Sequence, residues 1–102
     1  MYDIIKHDNY VYIRPESNID SVTASNFKDT ILLTIHELKY KTIIIDFSKI
    51  TYIDSIGCGV IIYLFNKLHL NNILLEITNV SKDIFNLFST VRLNRLIKIN
   101  TY

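Results

Sequence analysis

Residues 53–59 read Ile53-Asp54-Ser55-Ile56-Gly57-Cys58-Gly59, and both glycines of the chain lie inside this stretch. On its N-terminal side runs Thr42-Ile43-Ile44-Ile45-Asp46-Phe47, a continuous β-branched segment. Such a run suits a central strand buried on both faces. On its C-terminal side Ile61, Leu64, Phe65 and Leu68 recur at helical spacing, with Asn66, Lys67 and His69 off that stripe. The stretch therefore joins a strand to a helix expected from Gly57 onward. Loops at the carboxyl ends of strands carry function in open α/β sheets. Glycine there permits a tight turn with positive φ and lets another backbone come close.

Working outward, Asp3–Lys6 and Tyr10–Arg14 predict two short strands, paired as a hairpin across the polar turn His7-Asp8-Asn9. Asp20 and Ser21 are suitable helix caps. Beyond them Ala24, Phe27, Ile31, Ile35 and Leu38 form an apolar stripe, with Lys28, Asp29 and Glu37 off it. This predicts an amphipathic helix of about 17 residues. Asn71-Asn72 breaks the helix that follows the glycines, and Ile73–Ile77 predicts a second buried strand. Ser81 caps a third helix with a core face of Ile84, Leu87, Phe88 and Val91. Arg95–Ile99 closes the chain as an edge strand, because Arg95 and Lys98 interrupt its apolar positions. The order β-β-α-β-α-β-α-β predicts one α/β domain over residues 1–102. Its sheet is mixed and largely parallel, with about four to five strands flanked by about three to four helices.

Composition narrows the function classes. A chain of 102 residues fits one domain, and 49% apolar with 21% charged residues is a globular balance. The formal charge of +1 gives no electrostatic case for nucleic acid or an anionic membrane. A single cysteine excludes an internal disulfide and suits a reducing compartment. No secretory leader is expected from the charged N-terminus, and the apolar run 60–65 is far below the roughly 20 residues of a membrane span. The expectation is a soluble, cytoplasmic domain with no cofactor and no metal.

Three bottom-up readings of the loop compete. Asp54 or Ser55 caps the helix while the glycines make the turn. A nucleotide-phosphate loop would need G-x-G-x-x-G or G-x-x-x-x-G-K-[ST], and neither is present. A nucleophile elbow would need G-x-S-x-G, but residue 53 is isoleucine, and none of His7, His36 or His69 lies in the loop. A further use remains for Ser55 as a phosphate acceptor. Adding roughly −1.5 to −2 charges to a surface loop abolishes an interface by repulsion and desolvation.

The segment Ile43–Leu68 resembles the centre of STAS domains of the anti-sigma factor antagonist type. That family shows an apolar strand, then a short stretch ending in an acid, then D-S-[ST]-G-x-G opening a helix. Residues 11–31 are similar to the family's second strand and first helix, where an acid stands in G-x-[IL]-D. Residues 80–99 resemble its closing helix and strand, so the likeness covers almost the whole chain.

The resemblance implies a binding module and not an enzyme. Such a protein binds an anti-sigma factor that is itself a serine protein kinase, and so releases a sigma factor. The kinase phosphorylates the serine, the complex separates, and a serine phosphatase resets the cycle. Carried over by position, Ser55 is the implied acceptor. Asp20, Asp54, Ser55, Ile56, Gly57 and Gly59 are the implied partner-binding residues, with Asp20 opposite the loop. An unphosphorylated STAS scaffold or accessory subunit of a larger assembly, stressosome-like or lipid-transporting, is the alternative. Three departures bear on the choice. Ile56 replaces the usual serine or threonine, Pro15–Asp20 lacks the glycine usual before the first helix, and Asn71-Asn72 replaces a later glycine. Cys58 fills the variable position between the glycines and reads as a small helix-face residue. Tyr52 is expected to pack on the sheet edge.

Overall fold

The computed structural model describes residues 2–37 and 40–102. Two strands open the chain, β1 (Tyr2–Lys6) and β2 (Tyr10–Pro15). Helices and strands then alternate: α1 (Ala24–Glu37), β3 (Thr42–Asp46), α2 (Ser55–Leu70), β4 (Leu74–Val80), α3 (Lys82–Thr90) and β5 (Lys98–Thr101). A short 3₁₀ turn, Leu93–Arg95, precedes the last strand. The five strands lie in sequence order across one sheet. Only β1 runs antiparallel to its neighbour, and β2, β3, β4 and β5 are parallel. The α/β class, the mixed sheet and the element order expected from sequence are all present.

Sequential strand order decides where the core sits. Right-handed crossovers that step across a sheet in one direction all return over the same face. That face carries Val11, Ile13, Ile43, Ile45, Leu75 and Ile77, all buried. Against it lie Phe27 and Ile31 of α1, Ile61, Leu64 and Leu68 of α2, and Ile84 and Phe88 of α3. The opposite face is open. Its register places Ile5, Tyr12, Ile44, Glu76 and Lys98 in one row. Polar pairs cover much of this face: Arg14 donates to Asp3, and Asn100 donates to Glu76 at 3.0 Å. The expectation that β3 and β4 are buried on both faces is therefore corrected. Ile44 is only half-buried and Leu74 is exposed, because no layer covers their side of the sheet.

Other boundaries move for identifiable reasons. A turn over residues 21–23 precedes α1, and the helix covers 14 of the described residues where about 17 were expected. Leu38, the last residue assigned to its stripe, lies outside the described residues. α2 begins at Ser55, two positions before the expected Gly57, because Asp54 supplies its cap. β4 runs on to Val80 past an irregularity at Asn79, whose φ is 57°. The segment expected as strand 95–99 starts as the 3₁₀ turn, and Leu93 and Ile97 fill the core below it. Asn72, with φ 59°, ends α2 in the left-handed conformation that asparagine tolerates.

Candidate functional site

The strand β3 ends on a fixed carboxylate. Asp46 is buried and accepts from the Tyr12 hydroxyl, from the Ser48 amide at 2.8 Å and from Asn79 Nδ2 at 3.2 Å. Burial alone would push its carboxyl up, but these donors outweigh it and hold the group below the usual range. Burial, followed by the hydrogen bond to Asp46, pushes the Tyr12 hydroxyl up to about 12. The chain then turns through Phe47 and Ile50, both buried, with Ile50 N–H donating to the Phe47 carbonyl at 2.9 Å.

A second loop, leading from β2 into α1, secures the next residues. Asn18 Oδ1 accepts from the amides of Thr51 at 2.8 Å and Tyr52 at 3.2 Å. Ile19 and Ile53 form a parallel bridge. The Ser21 amide donates to Asp54 Oδ2 at 3.2 Å, while Asp54 Oδ1 accepts from the Gly57 amide at 2.8 Å. Asp54 is thus the cap of α2 and the clip between the two loops. Asp20 closes its own turn, accepting from the amides of Val22 and Thr23 at 2.9 and 3.1 Å. The Thr23 amide, then that of Val22, pulls its carboxyl below the ordinary value. Asp20 sits next to Ser21, whose amide meets Asp54 at the start of α2.

Ser55 is the first residue of α2 and is exposed. Among the described residues no hydrogen bond from another side chain occupies its hydroxyl. Ile56 follows it, 51% exposed. The two glycines differ. Neither has positive φ, so the tight-turn reading is corrected: both lie within the helix. Gly57 is buried, and a Cβ there would stand 2.5 Å from the Ile19 carbonyl oxygen and 2.6 Å from Ile53 Cγ1. The close approach of a second backbone is what excludes a side chain. Gly59 is exposed, with nothing within 4 Å of a built Cβ.

Sequence reasoning missed a groove of about 380 Å³ beside this loop. Ile53, Asp54 and Ser55 form one end of it, and Cys58, Gly59 and Ile62 of α2 form a wall. Leu87 and Val91 supply the facing wall from the α3 side. Both were expected in the core, but they are 37% and 48% exposed because α3 leans its buried stripe, Ile84 and Phe88, toward the sheet. Cys58 is buried at the groove's edge, and burial, then the Asp54 carboxylate, pushes its thiol up and away from reactive thiolate. Tyr52 is 56% exposed and does not pack on the sheet edge. The signal that would have found Asn18 is absent from sequence, since its partners lie 33 and 34 positions away.

A family model for the STAS domain matches residues 1–102. The chain belongs to the STAS domain family. Solved structures agree in fold. A candidate anti-sigma factor antagonist from Thermotoga maritima has a TM-score of 0.90 at 20% identity, over 99% of this chain and 86% of that one. An anti-sigma factor antagonist from Mycobacterium paratuberculosis gives 0.85 at 16% identity, over 100% and 86% of the two chains. The phosphorylated form of the Bacillus cell fate determinant SpoIIAA gives 0.74 at 20% identity, over 99% and 92%. In this STAS domain no helix among the described residues is long and apolar enough to cross a membrane.

Proposed function

We propose that this STAS domain is an anti-sigma factor antagonist switched by phosphorylation of Ser55. One observation carries the reading: a serine hydroxyl with no partner among the described residues stands exposed at the first position of α2, directly after a loop held by Asn18 and Asp54. Ser55 is the acceptor. Asp54 shapes the loop through its two hydrogen bonds, Asp20 and Ile56 contribute partner surface, and Gly57 and Gly59 set the close packing and the openness of the helix start. The partner is an anti-sigma factor serine protein kinase, and a serine phosphatase reverses the modification. On this reading the domain is a cytoplasmic binding module and not an enzyme. The likeness to solved antagonists, one of them in phosphorylated form, supports it.

The switch follows from charge. A phosphate brings roughly −1.5 to −2 charges to the surface, beside the Asp54 carboxylate and near that of Asp20. A partner face complementary to the neutral serine would then meet a like-charged, strongly hydrated group. Peptide mass spectrometry of the protein from its own cells, in growth and under stress, is expected to find a condition-dependent fraction phosphorylated on Ser55. Ser55→Asp is expected to weaken binding to the cognate kinase roughly tenfold or more, about 1.4 kcal/mol. No phosphate in any condition, together with unchanged binding by Ser55→Asp, replaces the switch with the unphosphorylated scaffold.

A further inference from the structure

The two edges of the sheet, β1 and β5, are protected unequally. β5 is four residues long, follows a 3₁₀ turn, and its ladder with β4 shifts register between Ile77 and Val80. Short, irregular edges resist pairing with another chain. β1 has five residues and meets β2 in an unbroken register from Tyr2–Pro15 to Lys6–Val11. Its central residues Ile4 and Ile5 are 38% and 53% exposed, on opposite faces. Tyr2 packs its ring against Phe27 of α1, but Ile4 and Lys6, on the same side of the strand, are exposed. The helix layer therefore stops short of this edge.

The phase of the backbone decides what β1 offers. In an antiparallel pair, opposed residues alternate between those that exchange hydrogen bonds and those that do not. The His7 amide donates to the Tyr10 carbonyl at 2.9 Å, which makes His7 a bonded position. By alternation Ile5 and Asp3 also bond to β2. Tyr2, Ile4 and Lys6 take the other phase, and Pro15, opposite Tyr2, has no N–H to give and fits it. The amides and carbonyls of Tyr2, Ile4 and Lys6 therefore point outward, away from β2.

We infer that β1 is a homodimer edge, pairing antiparallel with β1 of a second copy about a two-fold axis at Ile4. Symmetry limits the choices. Opposed residues in a sheet point to the same face, so a two-fold axis normal to the sheet passes at a residue and not between two. Centred on Asp3 it would oppose two carboxylates, and centred on Lys6 two ammonium groups. Centred on Tyr2 or Ile5 it leaves part of β1 beyond the end of the partner strand. Centred on Ile4, Ile4 meets Ile4, Tyr2 meets Lys6 and Asp3 meets Ile5. No like charges are opposed, and every outward amide and carbonyl of β1 is paired. This self-complementarity selects a second copy as the occupant. The sheet then runs on from one copy into the other, and neither α2 nor the Ser55 loop takes part.

Sedimentation equilibrium of the full chain at up to about 1 mM is expected to show a dimer whose fraction rises with concentration. Ile4→Lys sets two lysines directly opposite each other and is expected to weaken the dimer roughly fivefold or more. Ile5→Lys meets Asp3 of the second copy and is expected to leave the dimer intact. Mixing Ile4→Lys with Ile4→Glu is expected to restore a heterodimer. Both positions are exposed, and circular dichroism checks that each variant is folded. Amide hydrogen exchange gives a reading without variants. Protection at Ile4 and Lys6 is expected to rise with concentration, while Asp3 and Ile5 stay protected throughout. A chain that stays monomeric over the whole range overturns the inference. So does a dimer that survives Ile4→Lys, or one in which the Ile4 and Lys6 amides exchange at the same rate at every concentration.

Discussion

Replacing Gly57 with alanine should destabilise the domain even though alanine is the better helix former. The added methyl would stand 2.5 Å from the Ile19 carbonyl oxygen and 2.6 Å from Ile53 Cγ1. Neither neighbour yields freely. The carbonyl is backbone, and Ile53 is buried and bridged to Ile19. Forcing an extra methyl into such a site costs about 1–3 kcal/mol. The helix propensity of alanine over glycine returns about 1 kcal/mol. Two simultaneous contacts argue for the upper part of the first range, which leaves a net loss of about 1–2 kcal/mol. For a domain of this size that corresponds to a fall in Tm of roughly 4–15 °C. Urea unfolding followed by circular dichroism is the assay, with an unchanged m-value showing that stability and not cooperativity has moved. Gly59→Ala is the internal control, expected to gain up to about 1 kcal/mol because its methyl enters open space. The reasoning is refuted if Gly57→Ala is as stable as wild type, since the Ile19 carbonyl would then not lie against α2.

Two further perturbations probe the frame of the site. Asn18→Ala removes the acceptor of two loop amides and should cost about 1–2 kcal/mol, with faster amide hydrogen exchange at Thr51 and Tyr52 and not in β4. Unchanged exchange there would show that the clamp is not what orders the loop. Tyr12 carries a pH signature. Its folded pKa of about 12 exceeds the unfolded value of about 10, so its contribution is whole below pH 10 and is lost as pH rises through 12. The Tyr12 share of the slope should amount to about 2 kcal/mol across that window, so the loss of stability there should be smaller by about that amount in Tyr12→Phe, while raised groups such as Tyr2 keep the rest, read from urea midpoints at several alkaline pH values. An equal slope in both proteins would rule out the Tyr12–Asp46 pair as its source.

The element order was legible because each helix carries a periodic stripe and each strand a β-branched run, signals that need only neighbouring residues. Three features were not legible, and each depends on distant contacts. An apolar run such as Thr42–Phe47 reads the same whether one or two layers cover it. Only the sequential strand order, which sends every helix to one face, leaves Ile44 half-buried and Leu74 exposed. Leu87 and Val91 keep helical spacing with Ile84 and Phe88, but a helix at the end of a sheet buries a narrower stripe than its sequence offers. The surplus becomes a groove wall. The two glycines look equivalent in a row of letters, and their roles divide only when the loop carrying Ile19 folds over one of them. Ser55 is singled out as a candidate by its sequence neighbours, whereas Asn18, which holds the amides of the loop before it, belongs to no local pattern.

The pinning of the loop bears on how a partner could be held and released. From the end of β3 to Ser55, the contacts form a chain. Asp46 fixes Ser48, Phe47 holds Ile50, Asn18 holds Thr51 and Tyr52, Ile19 bridges Ile53, and Asp54 binds both Ser21 and Gly57. A surface ordered in advance loses little conformational entropy when a partner docks, so more of the contact energy appears as affinity. Under the proposed function the same ordering would sharpen release. A flexible loop could swing a phosphate into solvent, whereas a phosphate on a hydroxyl fixed at the first position of α2 would stay at the groove end that Ser55 lines. Asp54 binds that helix start with one oxygen and the Ser21 amide of the Asp20 turn with the other, so a single carboxylate joins both loops beside Ser55. If Ser55 is the acceptor proposed above, its fixed placement beside an apolar groove would suit a two-state contact, tight when neutral and lost when charged.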